Sequence, residues 1–595
     1  MKPRTDSIFA CLGVLLLFAA GCPDPSDNSV SERRQEPERE LAETNPEWSP
    51  PSDIRVTSNR LAVENSTKPA PPPIQCARGG MCRQLTAPIS SGVDLLFVVD
   101  NSGSMRAEQA SLREQFPRLI RMLTTGVRAD GSVFPPARDV HLGVVSPDMG
   151  LVGLASNFPG CNTQRHVEGG DDGLLQHPGG TPPACDSSYP PFLEYEKGRD
   201  NPEKLARDFG CIANLGTSGC GFEQPLEAAL KALWPKSYTD ANGMTYPPES
   251  NPLLFLAVTP ERRFGHGDTP AEGGGNGGFA RNDPTKGLSL LAVIIVSDED
   301  DCSSRSVEHF RSTNDPNNPL SRQGINLRCF YNKQNLFALE RYTLGLRRVR
   351  PNHEDTVRFA AIVGVPPDLV DAEARAAVDI EDATSREAYY ERILNDPRMR
   401  EQPVNEDVPA LAAVTPSCSR VDQFEEKADA APPRRIVEVA KGFGRNGLVQ
   451  SICQDDFGPA IDGVVDMMAR DVAAQCLPAR LKRRDGKVAC DVIVETLPGA
   501  DASSLPLACD APVLSAADAQ PRSTRCKVAQ LPVLDGRVGP GEGFFYDDFS
   551  EAARERDDEA KLCGNEVGAL ISFTPTARPA TGVRAYLDCD KNAQQ

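Results

Sequence analysis

The sequence predicts an α/β chain: a doubly wound, mostly parallel sheet with long insertions, plus a small disulfide-rich β domain. Three observations predict it. Continuous apolar runs, the texture of strands buried on both faces, alternate with amphipathic helical stripes. Long polar, Gly- and Pro-rich stretches interrupt that alternation. Beyond Cys476 the runs shorten and crowd with cysteines between Pro and Gly turns.

In chain order, Lys2 and Arg4 precede the apolar run Ile8 to Ala20, which is short for a membrane span but suits the core of a secretory signal. Ala19-Ala20-Gly21-Cys22 then resembles the lipobox of bacterial lipoproteins, which implies lipidation at Cys22 and anchorage by acyl chains. Residues 1–22 are read as that signal and residues 23–75 as a Pro/Ser/Glu-rich tether. The tether carries too few apolar residues to offset the entropy of ordering.

The first buried strand is predicted at Val93 to Val99, followed by a helix with the stripe Leu112, Phe116, Leu119, Ile120 and Leu123, which Pro117 should kink or shorten. Further strands are predicted at Val140 to Val145, Leu290 to Val296, Val357 to Val363 and Leu448 to Ile452. Helices fall on Leu226, Ala229, Leu230 and Leu233, with Pro225 at the first position, and on Ile461, Val464, Val465 and Met468 after the cap candidates Asp455 and Asp456. Insertions occupy about 148–198, 236–288 and 366–432. The second holds Gly273 to Gly278, which reads as a flexible surface loop and, with no Lys-Ser or Lys-Thr after it, not as a phosphate cradle. The α/β unit is bounded at 76–473. The tail, 474–595, has short runs at Val492 to Val494, Val528 to Leu531, Ala569 to Phe573 and Ala585 to Leu587.

Composition narrows the function. With 595 residues the chain exceeds one core, and two or three folded units are expected. A net charge of -20 opposes attraction to phosphate backbones, so no nucleic-acid partner is expected. Of the 18 cysteines, setting aside Cys11 in the signal and Cys22 leaves 16, an even number with no CxxC among them, as a disulfide framework in an exported protein requires. Neighbour pairing suggests Cys76 with Cys82, Cys161 with Cys185, Cys211 with Cys220 and Cys302 with Cys329. In the tail, Cys476, Cys490, Cys509, Cys526, Cys563 and Cys589 should form three internal bridges.

Chemistry concentrates at two strand ends. The first strand runs into Asp100-Asn101-Ser102-Gly103-Ser104, whose alternate residues can turn a carboxylate and two hydroxyls to one point, as a hard cation needs. The same residues can instead cap the next helix. The strand at 290–296 runs into Ser297-Asp298-Glu299-Asp300-Asp301, and Gly216-Thr217-Ser218-Gly219 lies between the two just before a helix. Doubly wound sheets place their sites at such carboxyl ends. Together, a D-x-S-x-S loop after the first strand, a Thr before a helix and an Asp after a later strand resemble the metal-ion-dependent adhesion site of von Willebrand factor A (VWA) domains, over roughly residues 90 to 473.

That resemblance implies one divalent cation, Mg²⁺ first and Ca²⁺ or Mn²⁺ next. Ser102 and Ser104 would be direct ligands, Thr217 (or Ser218 in its place) a ligand that shifts between direct and water-mediated contact, and Asp100 and Asp298 water-bridged carboxylates. It implies a partner, an extracytoplasmic protein or glycan, that supplies a carboxylate to the cation. The layout is similar to that of large VWA lipoproteins of Gram-negative bacteria, anchored to the cell envelope. Glu299, Asp300 and Asp301 are read as a solvated loop, with a separate calcium site as the alternative. His141, His166, His177, His266, His309 and His353 are scattered and read as loop or surface residues, and neither HExxH nor GxSxG occurs, so the chain is read as a binding protein and not an enzyme. Two other readings stay open: an envelope scaffold whose metal only stabilises the fold, and a metallohydrolase built on Asp298 to Asp301.

Overall fold

The computed structural model describes residues 76 to 594, apart from interior segments of which the longest are 86–91, 155–160, 283–288, 313–317, 422–426, 497–504, 515–523 and 549–568. The signal, the tether and Cys22 lie outside the described residues, as do Cys476 and Cys563. No described helix is long and apolar enough to cross a membrane.

A six-stranded sheet forms the centre. Its strands are β2 (Gly92–Val99), β3 (Asp139–Val145), β4 (Leu193–Glu196), β5 (Leu290–Val296), β6 (Val357–Val363) and β7 (Gly447–Ser451), after a separate strand β1 (Gly79–Leu85). Taking β2 as first, the order across the sheet is 3-2-1-4-5-6, a doubly wound order with its reversal between β2 and β5. All neighbours are parallel except the edge strand β4, which runs antiparallel to β3. Alternation along β2 explains the two layers. Leu95, Phe97 and Val99 enter a core with helices α1 (Arg106–Thr125), α2 (Pro202–Ile212) and α6 (Gly458–Ala473). Leu96 and Val98 enter the core on the other face, with α3 (Pro225–Leu233), α4 (Glu340–Arg348) and α5 (Arg434–Gly442). Phe97, Phe116 and Phe209 interlock strand with helices, their ring centroids 4.1 to 6.0 Å apart.

All five predicted strands of the sheet stand within a residue of where the apolar runs placed them, and α3 and α6 lie on their predicted stripes. Asp456 caps α6, accepting from the Gly458 amide at 2.8 Å. Pro117 neither ends nor shortens α1, which continues through it for 20 residues. The sequence reading missed β4, only four residues long, and α2, where Asn201 caps and Pro202 begins the helix.

The second sheet has the order β1-β13-β8-β10-β9, all antiparallel. Its tail strands are β8 (Cys490–Thr496), β9 (Val513–Leu514), β10 (Thr524–Val528) and β13 (Val583–Asp590), while β11 (Phe544–Asp547) pairs with β12 (Leu570–Phe573) beside it. Of the run expected at Val528 to Leu531 only Val528 lies in a strand, as the last residue of β10. The tail does not complete this sheet. Strand β1, assigned above to the α/β unit, pairs with β13, so the α/β unit is inserted between the first strand of the β unit and the rest of it.

Seven disulfides join described residues. Cys76–Cys82 and Cys302–Cys329 are neighbours as expected, and Cys490–Cys589 and Cys509–Cys526 lie within the tail. Two neighbour pairings are wrong: the bonds are Cys161–Cys220 and Cys185–Cys211, because the fold carries Cys211, in α2, and Cys220, in the turn beyond it, to different parts of the 148–198 insertion. Cys418–Cys453 ties the 366–432 insertion to the end of β7. The Gly273 to Gly278 segment is not a free surface loop. Buried Asn276 pins it, accepting from the Leu175 amide at 3.0 Å and donating to the carbonyls of Gly173 and Ala232.

Candidate metal centre

The parallel pairing of β2 with β5 brings their carboxyl ends side by side, and the ladder extends one residue further as the Asp100 amide donates to the Val296 carbonyl at 3.0 Å. Beyond that bond both chains turn. Fully buried Asp100 accepts from the Ser102 amide at 2.8 Å on Oδ1 and from the Ser297 hydroxyl at 2.6 Å on Oδ2. Ser102 Oγ and Ser104 Oγ are 3.3 Å apart, and the Ser104 hydroxyl acts on the Asp298 carboxyl as a hydrogen-bonding neighbour. Helix α1 starts without any side-chain cap, so capping does not account for Asp100, Ser102 or Ser104.

A third loop closes against the first. Gln109, in the first turns of α1, donates to the carbonyls of Asp100 and Gly216 and accepts from the Gly216 amide. Gly219 donates to the Asn101 carbonyl at 2.7 Å, and its approach is so close that a Cβ there would lie 2.1 Å from Asn101 Oδ1. The turn that carries Thr217 is therefore fixed beside the Asp100 loop. Thr217 itself is exposed, and its hydroxyl makes no hydrogen bond among the described residues; Ser218 is likewise exposed.

The acid of this loop that is coupled by charge to the others is Glu223, which the sequence reading missed. It is buried, and its carboxyl is pushed well above the usual range, first by burial and then by Glu299, Asp100 and Asp298. Its only sequence signal was an acid two positions before the helix-starting Pro225, in an otherwise apolar and glycine-rich stretch. Burial, Asp100 and Glu299 likewise hold Asp298 well above the carboxylate range. Burial also raises Asp100, against the opposing bonds from Ser297 and Ser102. Glu299 is pushed up to about 7 by burial and the charges of Asp100 and Asp300.

Four carboxyls from three loops thus repel one another in a space where Asp298 Oδ1 is buried without a hydrogen-bond partner. Water could donate to such an atom, but a cation would in addition offset the mutual repulsion of the carboxyls, and carboxylate and hydroxyl oxygens are the donors of hard divalent ions. Asp100, Ser102, Ser104, Asp298 and Glu223 are oxygen donors of the kind such an ion takes, although no three of the described acids here bring carboxylate oxygens within 4.8 Å of one another.

Asp300 and Asp301 do not join this group, and they are not a solvated loop. Asp300 accepts from the Arg435 amide at 3.0 Å at the start of α5, and burial pushes its carboxyl to about 7. Asp301 is buried and accepts from the Leu226 amide, the Ser303 hydroxyl and Arg435 Nε, which secures the start of α3. Two of the loop's four acids are thus engaged in holding the starts of α3 and α5. The histidines are not surface residues as a class: His141, His166, His309 and His353 are buried. His141 Nδ1 lies 2.7 Å from the Phe279 carbonyl and His166 Nδ1 2.7 Å from Asp148 Oδ2.

No protein-family model matches the chain, and no curated protein matches it. The reading of the site therefore rests on its own geometry.

Proposed function

We propose that the chain is a lipid-anchored envelope protein of the VWA type that binds a carboxylate-bearing protein or glycan partner through one divalent cation. Asp100, Ser102, Ser104, Asp298 and Glu223 would hold that cation, with Mg²⁺ preferred over Ca²⁺ or Mn²⁺. The observation that carries the proposal is the orphaned, buried Asp298 Oδ1 among acids that converge at the reversal point of a doubly wound sheet. A bound cation would supply the positive charge to which a partner carboxylate is drawn, in a protein whose own charge repels one. The chain's own residues do the rest. Asp100 and Ser297 fix the loop, Gln109 locks the Thr217 turn against it, and the exposed Ser104 and Thr217 leave one side open to solvent. That open side favours partner binding over a purely structural ion.

Calorimetry of the full chain with Mg²⁺, Ca²⁺ and Mn²⁺, alongside capture of envelope partners with and without EDTA, tests both halves. Saturable binding of one cation together with EDTA-sensitive capture is expected. An absence of cation binding would refute the site, and capture indifferent to EDTA would reduce the cation to a structural role.

A further inference from the structure

The loop after β5 leads to a second group of ligand atoms of a different chemical kind. Cys302 directly follows Asp301, His309 lies in the 3-10 turn Val307–Phe310, and Cys329 in the short helix Arg328–Tyr331. One ligand atom from each lies within 4.8 Å of the others, with Cys329 Sγ 3.9 Å from His309 Nδ1. The two sulphurs are bonded to each other. His309 is fully buried, its Nε2 has no hydrogen-bond partner, and Cys329 is half-buried, which leaves a route from solvent. An imidazole sealed against a cystine, with an unused ring nitrogen, has no structural duty that a Phe or Leu would not serve better.

We propose that Cys302, His309 and Cys329 form a thiol-gated site for one zinc-class divalent cation, closed while the sulphurs are bonded together and open once a dithiol has separated them. The balance is simple. The dithiol gives up two electrons and two protons and becomes a disulfide; the Cys302–Cys329 bond breaks and two S–H bonds form; the entering cation displaces both protons to solvent.

Charge makes the gate sharp. In the bonded state the group has no negative charge and stands beside the guanidinium of Arg328, which donates to the carbonyls of His309 and Arg311 and repels a cation. Two thiolates reverse that balance, and the same guanidinium favours thiolate over thiol. Two sulphurs and one nitrogen leave a fourth position for water, the donor set of an open zinc site rather than of the oxygen-lined site at Asp100. The two sites share neither ligands nor metal preference, so either proposal can fail without the other.

The test uses the full chain, reduced with a dithiol that is then removed without air, and titrated with Co²⁺ as a spectroscopic stand-in for zinc in excess Mg²⁺. A thiolate-to-cobalt absorption saturating with one ion is expected, absent before reduction and unchanged in Asp100→Ala. His309→Ala should weaken it by about 10- to 100-fold or more. His309→Gln keeps the volume and should behave the same way, which separates loss of a ligand from loss of fold. The proposal is overturned if the reduced protein gives no such absorption, if the His309 variants bind like the parent, or if peptide mapping finds the Cys302–Cys329 bond intact after dithiol treatment.

Discussion

The carboxamide of Gln109 donates to the Asp100 carbonyl at 2.7 Å and, from the same nitrogen, to the Gly216 carbonyl at 2.8 Å, so one side chain joins the two loops that flank the acidic site. It need not touch a cation to matter, because it holds the Thr217 turn in register with Ser102 and Ser104. Gln109→Ala is expected to cost about 1–3 kcal/mol by orphaning these backbone groups. It should also weaken cation affinity by about 10- to 100-fold, as loss of an outer partner of a metal site does. Calorimetry on the variant, with its melting temperature in EDTA as the control, separates the two effects.

Asp298→Asn should change stability with opposite signs in the two states of the site. Without a cation the substitution removes a buried carboxyl that burial, Asp100 and Glu299 all disfavour in its charged form, so the melting temperature should rise. With cation present the parent should gain stability and the variant should gain none. Differential scanning calorimetry in EDTA and in Mg²⁺ gives all four values. A variant that is destabilised in EDTA would mean that Asp298 is held by contacts other than those described.

Glu223 and Thr217 make a direct comparison. Glu223 is buried and coupled by charge to the other acids, whereas Thr217 is exposed and its hydroxyl makes no hydrogen bond among the described residues. Glu223→Gln should lower resting cation affinity. Thr217→Ala should leave affinity and stability nearly unchanged, within about 0.5 kcal/mol, and reduce partner capture only. Equal loss of affinity in both variants would return Thr217 to the resting ligand set.

The raised acids give the metal-free protein a pH dependence of definite sign. Glu299 and Asp300 titrate near 7 in the folded chain, against ordinary values of 4.5 and 3.8. Folding therefore retains protons that the unfolded chain releases. The associated stability is fully present below about 4 and is lost as the pH rises to about 7. Urea unfolding in EDTA should show this decline for the parent and a shallower one for Glu299→Gln. Saturating cation should flatten it further, since a bound positive charge returns the neighbouring carboxyls toward their ordinary values.

What the sequence disclosed follows from the range of the forces involved. Val93 to Val99 and Leu290 to Val296 are read easily because a strand buried on both faces is apolar except where a charge is paired, as buried Asp94 is by Arg281, Ser289 and Arg350, and Asp100 and Asp298 are conspicuous as the first acids after them. Strand β4 escapes because Leu193-Glu194-Tyr195-Glu196 is short and alternates, which any exposed edge tolerates. Glu223 escapes for another reason: its environment is made by Asp100, Asp298 and Glu299, contributed by residues far away in the chain. The Cys161–Cys220 and Cys185–Cys211 bonds are of the same kind, set by where the insertion folds back rather than by spacing.

Strand β1 tests the same point at the level of domains. It lies about 500 residues before β13, the one strand it pairs with, yet Leu85 opposes Ala585 and Cys82 opposes Asp588 in an antiparallel ladder, and Leu85 is buried in the core of the β unit. Arg78 adds ion pairs to Asp491 and Asp590 at 2.8 and 2.9 Å. A fragment of residues 474–595 would therefore expose one edge of β13, and a bare edge both loses ladder bonds and invites association. The fragment should self-associate, and amides of Val583 to Asp590 that are protected in the full chain should exchange rapidly. Adding a peptide of residues 76–85, with its Cys76–Cys82 bond formed, should slow that exchange and return the fragment to a monomer. A fragment that is monomeric and equally protected without the peptide would show that the tail folds as an autonomous domain and that β1 only decorates it.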